Sequence, residues 1–115
     1  MAEYLILIYE DEASWATAGE EAFEQVMKGH NEFGHTNEAA IRGGKALQPT
    51  PTAKSIRPDS SGRLMVTDGP FVETKETLGG YYLVEAADLD EAIEMAKQVP
   101  APSGGVEVRP IRVFD

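Results

Sequence analysis

The feature that most constrains the fold is an unbroken run of apolar and aromatic residues near the start of the chain, Tyr-Leu-Ile-Leu-Ile-Tyr at 4–9. The run has the length of a strand and no polar residue at alternate positions, so both faces of the strand are predicted to be buried. One layer of helices covers only one face of a sheet. The run therefore predicts helices on one face of a sheet and a second cover on the other.

Further patterns predict the elements around this strand. A Thr-x-x-Glu capping box at 17–20 predicts the start of a first helix, and apolar residues at helical spacing carry it to about Asn37. A second capping signature at 88–91 predicts a second helix, which Pro100 and Pro102 end. Further strands are predicted over 40–48, 53–57, 63–68, 80–86 and 105–114.

This order of elements predicts an α+β fold in a single domain over residues 1–115. It is the ferredoxin-like order β-α-β-β-α-β with an inserted hairpin at 53–68. Strands 4–9 and 81–84 are apolar on both sides, and monomers rarely leave a large apolar face in water. We expect a second copy of the chain to cover that face, which gives a homodimer with the architecture of a dimeric α+β barrel.

Composition and charge exclude several classes of protein. The chain has no cysteine, so disulfides and thiolate metal sites are excluded. The formal net charge of −10 argues against nucleic acid as a partner. The apolar start is too short for a signal peptide or a membrane span. We therefore expect a cytoplasmic protein with no membrane partner.

The charges are unevenly distributed along the chain. Residues 1–40 hold nine acids and one base, whereas residues 42–63 hold five bases and one acid. One interpretation is a pair of solvated faces of opposite sign. The other is a local positive field that attracts a small anionic ligand.

His30 is the first candidate catalytic residue. It lies on the apolar stripe of the first helix, and histidine titrates near neutral pH. The alternative is a core histidine bonded to a backbone carbonyl. His35 is five residues further along, on another side of the helix, so no two-histidine metal site is predicted.

Asp68 is the second candidate, and it begins the sequence Asp-Gly-Pro-Phe. A carboxylate can orient a histidine and hold one tautomer for proton transfer, or it can simply cap its own turn. Gly69 and Pro70 favour a fixed turn, and Phe71 is predicted either to form a wall of a cleft or to anchor the loop. If the segment borders a site, Gly69, Pro70 and Phe71 are the residues expected to contact the ligand. The segment 68–78 is accordingly predicted to hold Asp68 at the mouth of a site, although it can equally serve as a dimer clasp.

Two adjacent tyrosines enter the strand at 80–86. Tyr81 and Tyr82 must point to opposite faces, one towards the helices and one towards the barrel interior. Tyr81 is predicted to contact a ligand. Glu73 and Glu76 are interpreted as part of a short solvated helix. The sequence contains no phosphate-binding loop, nucleophile elbow or cofactor fingerprint, so no cofactor and no metal are expected.

The motifs Asp-Gly-Pro-Phe at 68–71, Glu-Thr-Lys-Glu at 73–76 and Leu-Gly-Gly-Tyr-Tyr-Leu-Val-Glu-Ala at 79–86 resemble the DGPF-domain proteins of the YCII-related family. The segments 4–16, 43–50 and 106–111 are also similar to that family. The resemblance implies a dimeric α+β barrel. It also implies a His–Asp pair in a cleft, as in some relatives, one branch of which is linked to dehalogenation of a hydroxylated aromatic.

The sequence leaves two functions open and does not decide whether the protein is an enzyme. The first is a cofactor-independent small-molecule enzyme that uses His30 and Asp68 as an acid–base pair. The second is a non-catalytic ligand-sensing or protein-interaction module. The resemblance suggests this alternative because many DGPF proteins are encoded beside extracytoplasmic-function sigma factors.

Overall fold

An antiparallel sheet with helices packed on one face forms the body of the computed structural model, which describes residues 1–114. The sheet has the strand order β2-β5-β1-β6, and a separate two-stranded hairpin is formed by β3 and β4. The strands are β1 (Ala2–Asp11), β2 (Ile41–Ala46), β3 (Lys54–Pro58), β4 (Leu64–Asp68), β5 (Glu76–Ala86) and β6 (Gly105–Pro110). The helices are α1 (Glu12–Thr17), α2 (Glu20–Thr36) and α3 (Leu89–Ala96). The predicted α+β class is confirmed, and the arrangement is compatible with a ferredoxin-like fold.

The core lies on the helix side of the sheet, as the alternation of burial along β1 shows. Tyr4, Ile6 and Ile8 are buried, whereas the intervening residues are only partly buried. The core also takes Phe33 from α2 and residues from α3 and β5, namely Ala92, Met95, Ala96, Val84 and Ala86. The apolar run therefore divides into one face that the helices cover and one face that no element of residues 1–114 buries to the same degree.

The start of the chain's helical region differs from the prediction. Thr17 does not cap a helix but ends α1, an additional short helix whose N-cap is Asp11. The Asp11 side chain accepts a hydrogen bond from the backbone N–H of Ala13 at 3.1 Å. The following helix, α2, begins after Gly19 without a side-chain cap. The predicted start of a helix at 17–20 is confirmed, because α2 begins at Glu20, but the predicted capping by Thr17 is wrong, because Gly19 is the N-cap.

The second capping signature is confirmed. Asp88 is the N-cap of α3 and accepts from the backbone N–H of Glu91, while the Glu91 carboxylate accepts from the backbone N–H of Ala87. The predicted end of α2 is also confirmed, since Asn37 is its C-cap. Local side-chain chemistry specifies these two helix ends.

Two strand boundaries differ from the prediction. β5 begins at Glu76, so the predicted short helix around Glu73 and Glu76 is wrong. β5 pairs with β1 along its whole length, and Glu76 lies opposite Asp11. This pairing extends the strand through residues whose local pattern indicates a helix. β6 ends at Pro110 instead of continuing to 114, because its partner β1 begins at Ala2 and the last bond joins the N–H of Ile111 to the carbonyl of Glu3.

No helix within residues 1–114 is both long and apolar enough to cross a membrane.

Candidate functional site

An open cavity of about 870 Å³ lies between helices α1 and α2 and the β2–β5 side of the sheet. Its helical wall includes Trp15, Phe23, Val26, Met27 and His30, and its sheet wall includes Ile8, Gly44, Gly80, Tyr81 and Tyr82. Most of these side chains are apolar or aromatic. Cavities of this size and character are typical of sites for small organic molecules.

His30 reaches the cavity from the inner side of α2. The predicted stripe is the reason: Val26 and Phe33, four residues before and three after, lie on the same side of the helix. Phe33 is 2% exposed and enters the core, whereas His30 is partly buried and lines the cavity. The inner side of α2 therefore contributes Phe33 to the core and His30, less than one helical turn away, to the cavity.

The partner of His30 is Tyr82 on β5. The His30 Nδ1 atom and the Tyr82 hydroxyl oxygen are 2.7 Å apart, which is the distance of a strong hydrogen bond. The ring of Tyr82 also packs against that of Phe33, with centroids 4.6 Å apart. The alternative of a core histidine bonded to a backbone carbonyl does not match this contact. Nε2 of His30 has no hydrogen-bond partner within residues 1–114 and is the nitrogen that remains for a ligand.

A glycine on the neighbouring strand makes room for the Tyr82 ring. A Cβ atom at Gly44 would lie 2.8 Å from Cδ1 of Tyr82 and 2.9 Å from the backbone oxygen of Tyr81. Real Cβ atoms do not approach so closely, so only glycine fits here. Gly44 therefore marks a close approach of the backbone of β2 to β5. The register also shifts between Ile41 and Gly43.

The environment favours the neutral form of His30. Burial lowers the pKa of His30 below 6.5, and the nearby Glu10 carboxylate opposes that shift in part. Burial raises the pKa of the Tyr82 hydroxyl. At neutral pH the pair is therefore an uncharged imidazole hydrogen-bonded to a protonated phenol. Such a pair can pass a proton in either direction.

Two acidic residues and a tryptophan, which lie at the end of β1 and in α1, also line the cavity. The Trp15 Nε1–H donates to Oε2 of Glu10 at 2.5 Å. Glu12 accepts from the backbone N–H of Thr50 at 2.9 Å and from its hydroxyl. Sequence reasoning missed these residues. The available signal was the alternation of β1, because Glu10 follows the buried Ile8 by two positions and so points to the helix side.

Asp68 lies elsewhere, at the end of the β3–β4 hairpin. Its carboxylate pairs with the ammonium group of Lys54, and its side chain is 84% exposed. Asp68 is not among the residues that line the cavity. Neither the hydrogen bonds nor the ion pairs of residues 1–114 join it to His30. Within one chain the structure therefore does not bring the two candidate residues together, because the hairpin is a separate two-stranded sheet.

The residues that follow Asp68 form the turn that the sequence predicted. Gly69 has a φ of +98°, a conformation that favours glycine. Its N–H donates to Ala53 and its carbonyl accepts from the hydroxyl of Ser55. Pro70 is partly buried, and Phe71 is exposed with the guanidinium group of Arg57 3.7 Å from its ring centre. These contacts anchor the loop to its own hairpin, and neither Pro70 nor Phe71 lines the cavity.

The structure distinguishes the two adjacent tyrosines. Tyr82 pairs with Ile6 and Gly44 and shares the helix side of the sheet with them. Tyr81 pairs with Leu7 and Lys45, and alternation puts these three on the opposite face. Tyr81 contributes to the cavity lining, but the hydroxyl that meets His30 belongs to Tyr82. Ligand contact by Tyr81 remains a prediction.

Residues 1–114 contain no group of three or more histidine, aspartate or glutamate side chains arranged to hold a metal ion.

Comparison with known proteins places the chain in a family. Residues 2–115 match the YCII-related domain. The chain belongs to the YCII-related family. A relative from Rhizobium meliloti (strain 1021) is 35% identical over 119 residues, which cover 96% of this chain and 93% of the relative. That relative is an uncharacterised protein. The resemblance inferred from the sequence is confirmed, and the function must be argued from the site.

Proposed function

We propose that this YCII-related protein binds a small organic molecule in the cavity beside α2 and exchanges a proton with it through His30. The observation that carries the proposal is the 2.7 Å contact between His30 Nδ1 and the Tyr82 hydroxyl on the wall of that cavity. Tyr82 holds the imidazole ring by one nitrogen, and Nε2 serves the ligand. The protein is then a cofactor-independent acid–base enzyme.

The state of the pair supports this chemistry at neutral pH. A neutral imidazole can accept a proton from an acidic C–H, N–H or O–H group of the substrate and return it to another position. The lowered pKa of His30 keeps the imidazole in that form. The imidazolium that forms after proton transfer is stabilised by the field of Glu10. The reaction class is proton transfer within one bound molecule.

The family resemblance implies a His–Asp pair, and His30 with Asp68 is the version of that pair in this sequence. Tyr82 occupies Nδ1 within one chain, and Asp68 bonds to Lys54. These contacts support Tyr82 as the orienting partner of His30. Asp68 can act on the cavity only from another copy of the chain or after the hairpin moves.

We also propose that the protein is a homodimer in which the outer faces of two sheets meet. The outer face carries the partly buried Leu5, Leu7 and Tyr9 of β1 with Tyr81 and Leu83 of β5 beside them. An apolar sheet face of this kind is covered in stable proteins, and a stable interface buries about 800 Å² per partner. Light scattering at micromolar concentration should give twice the 12.5 kDa chain mass. A monomer that neither associates nor aggregates contradicts the dimer.

The proposed chemistry is tested with a screen of small metabolites by thermal shift, followed by mass spectrometry of each hit after incubation in heavy water. Incorporation of deuterium at a carbon or a change of structure identifies turnover. His30→Gln should still bind the hit and should lose at least about 100-fold in rate, which is the usual contribution of a general acid–base residue. Asp68→Asn should keep the rate.

The same screen distinguishes the ligand-sensing alternative. A sensing module binds the hit and leaves it unchanged in both the wild type and His30→Gln. If no hit moves the ring resonances of His30 and Tyr82 when it binds, no ligand enters the cavity, and both functions are contradicted.

A further inference from the structure

We infer that the ligand of the cavity carries a compact organic cation, an ammonium or amidinium group, which binds between Glu10, Trp15 and Phe23. This inference rests on the proposed function, because it names the class of molecule that the same cavity accepts. It starts from a carboxylate, two aromatic rings and the sign of the surrounding charge.

Glu10 is an acidic side chain on the wall of a largely apolar cavity without a cationic partner. None of the ion pairs within residues 1–114 involves it. Its Oε2 accepts from the Trp15 indole at 2.5 Å, which orients the carboxylate and leaves Oε1 for another donor. A carboxylate in apolar surroundings is stable when a cation or a strong donor pairs with it. A ligand cation meets that need.

The two aromatic residues supply the second part of the site. The rings of Trp15 and Phe23 have centroids 6.3 Å apart and planes at 79°, and both residues line the cavity. Rings at a right angle form a corner, and corners of aromatic faces beside an acid are the usual way in which proteins recognise ammonium ligands. Phe23 is 55% exposed, so part of its ring faces the open cavity. A bound ligand would cover it.

The charges around the cavity agree with a cation. The three other charged residues near this wall are Glu12, Lys28 and Lys45. Glu12 is bonded to Thr50 on the cavity wall, which adds negative potential. Lys45 also lines the cavity, although it pairs with Tyr81 on the face of the sheet opposite to His30, and Lys28 is absent from the lining. The net negative charge of the chain also attracts cations. The basic segment 42–63 contributes one charged residue, Lys45, to the lining, against the two carboxylates of Glu10 and Glu12.

The test uses three probes with one carbon skeleton and different charge: benzylamine, benzyl alcohol and benzoate. Trp15 is the only tryptophan of the chain, so its fluorescence and its indole N–H resonance report binding at this corner. Benzylamine should bind at least about tenfold more tightly than benzyl alcohol, which corresponds to one charge-assisted contact. Benzoate should bind most weakly, and added salt should reduce the preference.

Two variants make the result specific. Glu10→Gln keeps an acceptor for the Trp15 indole but removes the charge, so the amine should lose about tenfold in affinity and the alcohol less than about twofold. Glu94→Gln is the matched control, because it removes one carboxylate from an exposed pair on α3, away from the cavity. It should leave all three affinities unchanged. Phe23→Leu, which retains an apolar side chain, should weaken the amine more than the alcohol.

The outcomes separate this inference from the proposed function. Equal binding of amine and alcohol at Trp15, or tighter binding of benzoate, overturns the cationic ligand and leaves the ligand-binding cavity intact. An amine preference that persists unchanged in Glu10→Gln also overturns it. If none of the three probes changes the signals of Trp15 and no metabolite moves the ring resonances of His30 and Tyr82, both the inference and the proposed function are overturned.

Discussion

His30 and Asp68 are similar candidates in the sequence but lie in very different surroundings in the fold. His30 lies on a cavity wall, with a tyrosine on one ring nitrogen and a shifted pKa. Asp68 lies on an exposed hairpin, 84% accessible and paired with a lysine. Histidine and aspartate both serve in acid–base catalysis, so residue type made both plausible as catalytic residues. Burial and a fixed partner make only His30 chemically distinctive within one chain, because water screens the charges of an exposed pair.

The hairpin that carries Asp68 differs from the main sheet in its packing as well. In the main sheet every second residue of the apolar run in β1 is buried. The apolar residues of the hairpin are exposed, among them Ile56, Leu64 and Val66. An isolated two-stranded hairpin is only marginally stable in water. The two regions should therefore respond very differently to matched substitutions.

The largest difference is expected between two phenylalanines. Phe33→Ala removes a ring that is 2% exposed and stacked on Tyr82, and it should lower the free energy of unfolding by about 3–5 kcal/mol. Phe71→Ala removes a ring that is 57% exposed and contacts Arg57, and it should cost less than about 1 kcal/mol. Urea denaturation measures both. Equal losses would show that the hairpin is packed as tightly as the core.

The next comparison concerns two adjacent glycines of β2. Gly44→Ala places a Cβ atom against Tyr82 and should destabilise the protein by about 1–3 kcal/mol while displacing the Tyr82 ring. Gly43→Ala meets no atom within 4 Å and should change stability by less than about 0.5 kcal/mol. The His30 and Tyr82 ring resonances should move only in the first variant. Similar spectra for the two variants would contradict the role of Gly44 in positioning Tyr82.

A smaller effect is expected at the two tyrosines. Tyr82→Phe removes the hydroxyl bonded to His30 and should lower the free energy of unfolding by about 1 kcal/mol. Tyr81→Phe should be close to neutral, since its hydroxyl makes no hydrogen bond within residues 1–114. Thermal denaturation of both variants at one pH gives the comparison. A larger loss of stability in Tyr81→Phe than in Tyr82→Phe would contradict the importance of the Tyr82 hydroxyl.

The smallest effect concerns pH. The folded pKa of His30 lies below its unfolded value of 6.5, so the unfolded chain binds more protons between the two values. The free energy of unfolding should therefore fall as the pH drops below about 6.5 and level off below the folded pKa. His30→Gln should remove this part of the acid sensitivity, while His35→Gln at an exposed position of α2 should retain it. Denaturation at pH 7.5 and 5.0 measures the difference, and an unchanged slope in His30→Gln would contradict a buried neutral imidazole.

The sequence predicted the architecture more completely than the site. Alternation and helical spacing identified the strands and the two long helices, because a buried face imposes its period on the chain. The additional helix α1 was missed because six residues are too few to show a helical repeat of apolar positions. The early start of β5 was missed because the pairing with β1 extends a strand through residues that have no strand preference of their own.

By itself, the sequence determined the family, the α+β class and the position of His30 on the inner stripe of its helix. These properties depend on local periodicity and on motifs that are adjacent in the chain. Only the tertiary structure decided that Tyr82 is the partner of His30, that Glu10 and Trp15 share the cavity, and that Asp68 lies apart from them. His30 and Tyr82 are 52 positions apart, and strand register decides which of two adjacent tyrosines faces the helix. A shift of one residue in that register would exchange the two, and no local pattern encodes it.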